Sequence, residues 1–481
     1  MTDPVRVSSM PLGLARVLVF ASSAAVLVLE ILAGRLMAPY VGVSLETFTG
    51  IIGVVLAGIA LGTALGGQAA DRFDPASLLG PAFIVGGALS WWSLWVVFTL
   101  GPEIGRGPAA ILGLSFLGFF APAAVLSAVS PLVAKLRLQD LSETGAVVGS
   151  LSAWGTGGAL FGVFVTGFVL VAAWPTKPIV LVLGASLVVA GAALTGWHRR
   201  RPPSIAAALV VLVSFGVGLS GTSPCGFESA YFCGQVIDDA DDPDVRYLVL
   251  DDLVHAAVDL ADPDALQLRY VRLLAAAIDA RPAGAVDVAH VGGGGFTLPG
   301  YVARSRPGST NTVFEIDDVL LDVARDELGY VLDDQTTVVI GDARLHLGDL
   351  EPASHDVVVG DAFGGAAVPW HLTTVEFLDE VARVLRPGGV YVLNVIDGGD
   401  NDFAEWQART LRDRFEHVEV IAPVGGVGEP ANQILLASDE PIEWFPLDGD
   451  GEWVGDVAAF AANGRVLTDD YAPVDQLLTS R

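Results

Sequence analysis

Three acidic residues in the second half of the chain each end or directly follow a short β-branched run. Glu315 lies in TVFEID, Asp342 follows VVIG, and Asp361 follows DVVVG. The carboxyl ends of parallel strands meet at one edge of a sheet, so these carboxylates are predicted to converge there. A single acid in such a position more often caps a helix. Three in register indicate a ligand site.

A glycine-rich turn precedes the first of these acids. The segment VDVAHVGGGG (286–295) predicts a buried strand that runs into the turn, where missing Cβ atoms let a ligand lie against the backbone. Glu315 follows the turn by about 20 residues, the spacing at which an acid accepts hydrogen bonds from ribose hydroxyls. Glycines alone would be weak evidence. Together with the acid they predict a nucleoside site.

The elements that must position these residues begin near Arg246, where short β-branched runs start to alternate with helical stretches. This alternation predicts a parallel sheet with helices on both faces. The predicted elements are a helix at 264–278, a strand and turn at 286–295, a helix to about 304, a strand at 312–317, a helix at 373–385, a turn at 386–389 (RPGG) and a final strand, VYVLNVID.

The first half of the chain is strongly apolar and predicts an α-helical transmembrane bundle of about seven helices. Seven runs suffice to cross ~30 Å of hydrocarbon: 14–36, 48–69, 78–100, 109–133, 146–171, 178–197 and 205–219. Small residues predicted to let helices approach closely are Gly62, Gly66, Gly86, Gly87, Gly157 and Gly158. We expect a transmembrane domain at 1–222, a lead-in at 223–280 and an α/β domain at 281–481.

The cationic loops predict the orientation of this bundle. One set holds Arg6, Arg16, Arg72, Lys135, Arg137, Arg199, Arg200 and Arg201, and the other holds Arg35, Arg106 and Lys177. The positive-inside rule therefore places the amino terminus inside. Seven spans would then put the second half outside the cell membrane, but one miscounted helix would reverse its side.

Charge separates the two halves and excludes one class of partner. Residues 1–222 carry a net charge of +3, and the remainder carries −32. Nucleic acid binding needs a basic surface, so no nucleic acid partner is expected. The acidity fits either adaptation to high salt or a site for polycations such as polyamines.

The chain has two cysteines, Cys225 and Cys233. They could form a disulfide, which would favour an oxidising exterior, or be two small buried residues. Both interpretations stay open. Two cysteines cannot build a zinc site alone, and we expect no metal.

The order of the glycine loop, EID, GDA, DAF and LRPGG resembles the Rossmann-like class I S-adenosylmethionine-dependent fold, and within it the spermidine synthases. Segments similar to membrane-fused spermidine-synthase-like proteins are EILAGRLMAPYVG (30–42), ESAYF (228–232), YLVLDDLVHAAVDL (247–260) and TDDYAPVDQLL (468–478). The resemblance thus extends over almost the whole chain.

This resemblance implies an aminopropyltransferase that uses decarboxylated S-adenosylmethionine and an amine such as putrescine. Asp361 matches the aspartate that helps to deprotonate the attacking amine. Matches to the donor site are Gly292, Gly293, Gly294, Glu315, Asp342 and Ala343. Matches on the acceptor side are His255, Tyr270 and Tyr471. Its implied partners are a small amine or polyamine and the lipid bilayer, and a homodimer is compatible with it.

Several residues depart from the family pattern. The loop GGGGF (292–296) lacks the family's aspartate, Val271 replaces a histidine, His255 replaces a glutamine, and Gly364 replaces a second acid. Each change removes or alters a contact for a cationic substrate, so either the acceptor differs or activity has been lost.

Two alternatives therefore remain. One is an S-adenosylmethionine-dependent methyltransferase, because the methionine carboxylate disfavours a nearby acid. The other is a non-catalytic polyamine-binding or transport protein. Two features suggest this second alternative. Glu30 is an acid within an apolar run, and the segment GGQAADR (66–72) resembles a loop of major-facilitator transporters. Glu30 could equally form a structural pair with Arg35.

Overall fold

The computed structural model describes residues 10–105, 107–138, 144–199, 205–363, 368–397, 400–424 and 431–479. The chain divides into two compact units, Met1–Gly234 and Gln235–Arg481. An apolar helical region is followed by a Rossmann-like α/β domain, which confirms the predicted fold class. The finer division at residues 222 and 280 stays a prediction.

The first unit is helical. Its helices are α1 (Leu12–Val41), α2 (Leu45–Arg72), α3 (Pro75–Leu100), α4 (Pro108–Ser115), α5 (Ala121–Ser127), α6 (Val129–Arg137), α7 (Thr144–Val165), α8 (Val171–Ala173), α9 (Thr176–Arg199) and α10 (Ile205–Ser220). Five-residue π-helical segments at Phe116–Phe120 and Thr166–Leu170 join α4 to α5 and α7 to α8.

Among the described residues, six helical stretches are long and apolar enough to cross a membrane. Helix α10 is shorter than these six stretches. It has 16 residues and is ~24 Å long. It occupies the position of the seventh predicted span. The prediction of about seven spans therefore corresponds to six long helices and one short apolar helix.

Glycines let pairs of these helices approach closely. A Cβ atom at Gly62 of α2 would lie 1.9 Å from the carbonyl oxygen of Ala124, and one at Gly158 of α7 would lie 2.2 Å from that of Phe20 in α1. Only glycine fits such backbone contacts. Gly157 does not act in this way, since a Cβ there would meet no atom within 4 Å.

The two ends of the bundle are identified by contacts between helix termini. At the first end, Lys135 Nζ lies 2.7 Å from Asp71 Oδ1, and Arg137 donates to the carbonyl of Met10. At the opposite end, Arg35 donates to the carbonyls of Ser229 and Ala230.

Lys177, at the start of α9, donates to the carbonyl of Leu219 near the end of α10. Helix α9 therefore runs back to the first end, and α10 returns the chain to the end opposite Met10. Cys225 and Cys233 form a disulfide there. Of the predicted orientation residues, Arg6, Arg106, Arg200 and Arg201 lie outside the described residues.

Short strands connect the helices to the second domain. Strand β1 (Phe227–Glu228) pairs antiparallel with the first residues of β2 (Cys233–Asp238), and β3 (Val245–Leu250) pairs antiparallel with β4 (Leu253–Asp259). The main sheet contains β5 (Asp287–Val291), β6 (Thr310–Glu315), β7 (Thr336–Ile340), β8 (His355–Gly360), β9 (Leu385–Asp397), β10 (His417–Ala422), β11 (Ala431–Ser438) and β12 (Glu452–Trp453).

The helices of the second unit are α11 (Arg269–Asp279), α12 (Thr297–Ser305), α13 (Asp318–Glu327), α14 (Ala343–His346), α15 (Val375–Val384), α16 (Asp402–Arg414), α17 (Val457–Phe460) and α18 (Val474–Thr479). Alternate strand residues pack on opposite layers. Val288 belongs to a core with α11 and α12, whereas Ala289 belongs to a core with α15 and α16. Both faces of the sheet are therefore covered, as predicted.

The strand order of the sheet is β12-β10-β11-β9-β8-β5-β6-β7. Strands β9, β8, β5, β6 and β7 are parallel, and β11 is antiparallel to both β9 and β10. After β7 the chain crosses to β8 on the other side of β5, so the order reverses between β5 and β8. Ligands of doubly wound sheets bind at the carboxyl ends of such a pair.

Two predicted elements were wrong in their bounds. The helix expected at 264–278 begins at Arg269, because Asp259 and Asp262 accept hydrogen bonds from following amides and hold this segment in turns. The turn expected at RPGG lies within β9. Gly388 has a φ of 75°, and the pairing with β8 shifts register there.

Candidate functional site

The site forms where the loops after β5 and β8 touch. The amide of Asp361 donates to the carbonyl of Val291, and the amide of Gly292 donates to that of Phe314. Gly292 has a φ of 99°, and a Cβ there would lie 2.4 Å from the carbonyl oxygen of Asp361. Glycine is therefore required both for the backbone angle and for the contact.

Glu315 holds the glycine loop against the end of β6. Its Oε2 accepts hydrogen bonds from the amides of Gly293 at 2.8 Å and Gly294 at 3.1 Å, and its Oε1 accepts one from Asp317 at 2.9 Å. The side chain is only 5% exposed. Burial raises the pKa of Glu315, although the three amides act in the opposite direction. The structure thus brings together the predicted donor residues of β5 and β6.

Asp342 caps the amino terminus of α14. Its Oδ1 accepts a hydrogen bond from the amide of Arg344 at 2.9 Å, and His371 Nε2 lies 3.2 Å from its Oδ2. Ala343, the first residue of the helix, is buried. The amide of Gly341 donates to the carbonyl of Glu315, so Asp342 lies beside the end of β6.

The carboxyl-terminal segment is attached to the same edge through Asp469. Its carboxylate accepts hydrogen bonds from Arg344 at 2.6 Å and from Thr374 at 2.7 Å. Tyr471 is 54% exposed, and its ring centroid lies 6.3 Å from that of Trp406. The predicted contact of Tyr471 with a substrate stays a prediction.

Asp361 is a carboxylate with an unusual affinity for protons. Its Oδ1 accepts a hydrogen bond from Asn394 Nδ2 at 2.8 Å. Burial raises its pKa to about 7, although the hydrogen bonds with Asn394 and Tyr270 favour the charged form. A carboxylate that exchanges protons near neutral pH is suited to general base chemistry.

Tyr270 links Asp361 to the backbone of His255. The Tyr270 hydroxyl lies 3.1 Å from the His255 carbonyl and is also hydrogen-bonded to Asp361, so both oxygens share its single proton. Burial, followed by the charge of Asp361 and a hydrogen bond with it, raises the pKa of Tyr270 well above its usual value. Burial lowers the pKa of His255, whose Nδ1 lies 3.1 Å from the carbonyl of Leu253. Asp361 and Tyr270 are therefore brought together, whereas His255 joins them only through its backbone carbonyl.

Two further residues of this cluster were missed by the sequence analysis. Asn394 in β9 contacts Asp361, and Asn432 in β11 donates from Nδ2 to Asn394 Oδ1 at 3.0 Å. Asn394 interrupts the apolar run VYVLNV, and Asn432 lies beside the buried Gln433 at the start of ANQILLAS. A polar amide inside a buried strand is the signal that could have identified them.

The departures from the family pattern have structural counterparts. A Cβ at Gly295 would lie 2.4 Å from that of Ala256, so this position has no room for an acidic side chain. Phe296 adopts a left-handed conformation with φ of 56° and packs its buried ring against Tyr330. Val271 is buried in the core. Gly364 lies outside the described residues.

Comparisons with known proteins identify relatives for the chain. It is 35% identical over 106 residues to a polyamine aminopropyltransferase of Vibrio vulnificus. It is also 32% identical over 160 residues to an eEF1A lysine and N-terminal methyltransferase of Danio rerio. A probable spermidine synthase of Corynebacterium glutamicum has a crystal structure with 29% identity and a TM-score of 0.48.

These similarities cover parts of the proteins. The two sequence matches cover 22% and 31% of this chain, and 36% and 22% of the relatives. The structural match covers 53% of this chain and 99% of the other. No family model matches. The predicted similarity to polyamine aminopropyltransferases is confirmed, and methyltransferases are relatives as well.

Proposed function

We propose that the second unit transfers an aminopropyl group from decarboxylated S-adenosylmethionine to a small amine. The observation that carries this proposal is the buried carboxylate of Asp361, bonded by Asn394 and adjacent to Tyr270, at the point where the strand order reverses. A buried acid at this position can hold an ammonium group and remove its proton.

The residues present fit a nucleoside donor. A Cβ at Gly293 would lie 2.9 Å from the Phe296 ring and 3.2 Å from Glu315 Oε2, so glycine lets this loop close onto the buried acid. Glu315 supplies the carboxylate for ribose hydroxyls, and Asp342 and Ala343 lie beside it for the base. These residues bind and orient the donor; Asp361 lies across the loop on the side where the acceptor would enter.

Proton removal is the central chemical step. An ammonium cannot attack, so the Asp361 carboxylate takes one proton from the acceptor. The neutral nitrogen then attacks the aminopropyl carbon bonded to the sulfonium. A C–N bond forms, the C–S bond breaks, and its electron pair stays on the sulfur of methylthioadenosine. Holding both substrates in line supplies much of the acceleration.

A methyltransferase is the second candidate. Gly295 packs against Ala256, so the glycine loop carries no acid for the aminopropyl ammonium group. A methyltransferase is also among the sequence relatives. In that case the same carboxylate would deprotonate an amine that attacks a methyl group.

Isothermal titration of the full chain in detergent distinguishes the two candidates. We expect decarboxylated S-adenosylmethionine and methylthioadenosine to bind at least roughly tenfold more tightly than S-adenosylmethionine, a difference of ~1.4 kcal/mol. Tighter binding of S-adenosylmethionine would establish the methyltransferase instead. Binding heat on titration with a polyamine, and none on titration with any of the nucleosides, would support a non-catalytic binding protein.

We also propose that the chain is a multi-pass cell-membrane protein whose disulfide end faces the exterior. The described cations Arg16, Arg72, Lys135 and Arg137 lie near the end of the bundle that holds Met10, and the disulfide lies at the other. Cationic loops favour the inside, and disulfides persist in oxidising compartments.

Labelling of intact cells with a membrane-impermeant maleimide tests this orientation. We expect modification of Cys225 and Cys233 only after reduction with an impermeant phosphine. Labelling only after lysis would contradict the proposed orientation, and labelling of intact cells without reduction would contradict the disulfide. A Cys225→Ser/Cys233→Ser variant is the control for background labelling.

A further inference from the structure

Asn394 is a polar residue within an otherwise apolar part of the sheet. It lies in β9 opposite Ile434 of β11 and is 1% exposed. Val392, two residues before it on the same face, belongs to the core that includes α11. An amide in this environment destabilises the fold unless both its oxygen and its nitrogen are hydrogen-bonded.

Both ends of the Asn394 amide are bonded. Its Nδ2 donates to Asp361 Oδ1, and its Oδ1 accepts from Asn432 Nδ2. An amide oxygen can only accept and its nitrogen can only donate. The ionised carboxylate can only accept, so Asn394 presents its nitrogen to Asp361, and its oxygen is held in place by the bond from Asn432. The three side chains form a chain of two hydrogen bonds from β11 through β9 to the end of β8.

We propose that Asn394, fixed by Asn432, is a positioning residue that orients the Asp361 carboxylate toward the acceptor amine. This inference rests on the proposed function. The Asn394 amide occupies one lone pair of Oδ1 and Tyr270 bonds the same carboxylate, so the proton removed from the acceptor ammonium goes to a lone pair that these two bonds leave free. Among the described residues, the titratable group hydrogen-bonded to Asp361 is Tyr270 of α11.

The positioning role has a consequence that a purely structural role lacks. A donor bonded to a carboxylate stabilises its charged form, so loss of that donor raises the affinity of the acid for protons. In Asn394→Leu the midpoint of the pH–rate profile should therefore move upward by about one pH unit. In Asn432→Leu the shift should have the same direction and be smaller, because Asn394 remains but can rotate.

The experiment measures kcat and KM against pH for the wild type and both variants. We expect kcat near neutral pH to fall by roughly tenfold in Asn394→Leu, with little change in the KM for the donor. Ser438→Ala is the matched control. It removes a buried hydrogen bond to the Gly389 carbonyl from the other end of β11 and should leave the midpoint unchanged. If Asn394→Leu does not fold, the pH–rate midpoint of Asn432→Leu tests the inference.

A second measurement does not depend on turnover. The difference in Tm between each protein and its Asp361→Asn counterpart, from about pH 4 to about pH 9, reports the proton affinity of Asp361. If the pH midpoint of this Tm difference moves upward in protein that shows no turnover, the proposed function is rejected, but the effect of Asn394 on Asp361 is supported. An unchanged midpoint in both measurements would overturn the inference, even if kcat fell.

Discussion

Asp361→Asn is expected to lower kcat by about 10³-fold, because a positioned general base contributes roughly 10²- to 10⁴-fold. The asparagine is nearly the same size and can still accept the hydrogen bond from Asn394, so donor binding should change little. Steady-state rates together with titration of methylthioadenosine measure the two effects separately. In the wild type, turnover should rise as pH increases through about 7, where Asp361 loses its proton.

The same substitution should increase stability above neutral pH. The pKa of Asp361 rises from its usual 3.8 to about 7 in the folded state. Between these values the folded protein binds more protons than the unfolded chain, so the free energy of unfolding falls as pH rises. This loss of stability is complete above about pH 7. Asp361→Asn removes this loss of stability. The Tm of the variant relative to that of the wild type should therefore increase as pH rises from 3.8 to about 7.

Asp356→Asn is a matched control in the same strand. Asp356 lies at the opposite end of β8, where its carboxylate is 2.7 Å from Arg386 and also accepts from the amide of Asp287. This variant should lose some stability and keep nearly full turnover. Comparable losses of turnover in Asp361→Asn and Asp356→Asn would mean that kcat reports damage to the fold.

Gly292→Ala is expected to cause the largest loss of donor binding. The new Cβ would lie 2.4 Å from the carbonyl oxygen of Asp361, and the φ of 99° disfavours any side chain. Backbone strain of ~1–3 kcal/mol and overpacking of ~1–3 kcal/mol should both contribute. If half of a combined ~4 kcal/mol is lost from the bound state, methylthioadenosine affinity falls by roughly 30-fold. Calorimetry and thermal unfolding measure the two losses.

Gly284→Ala separates the two causes. Gly284 also has a positive φ, 119°, but a Cβ there would meet no atom within 4 Å. This variant should show backbone strain alone, with a small decrease in Tm and unchanged nucleoside affinity. If Gly292→Ala matched Gly284→Ala in both measurements, the loops after β5 and β8 could separate at no cost, and the site geometry would be wrong.

Much of the architecture follows from local sequence patterns. Long apolar runs specify helices long enough to cross a membrane, because a helix satisfies its backbone groups within the segment. Short β-branched runs alternating with helices likewise specify a doubly wound sheet. The acids Glu315, Asp342 and Asp361 could be placed at one sheet edge on this basis, since a strand that ends in an acid carries it to that edge.

Contacts between distant segments were decided by the tertiary structure. Asn394 and Asp361 are 33 residues apart, and Asn432 and Asn394 are 38 apart. Their meeting depends on β9 lying between β8 and β11, an order that no local pattern encodes. The same holds for Asp342, whose contact with His371 spans 29 residues. The return of α10 to the end opposite Met10 also depends on packing between helices. Local propensity specifies which elements form, whereas the burial of their apolar faces selects which elements become neighbours and therefore which polar groups meet.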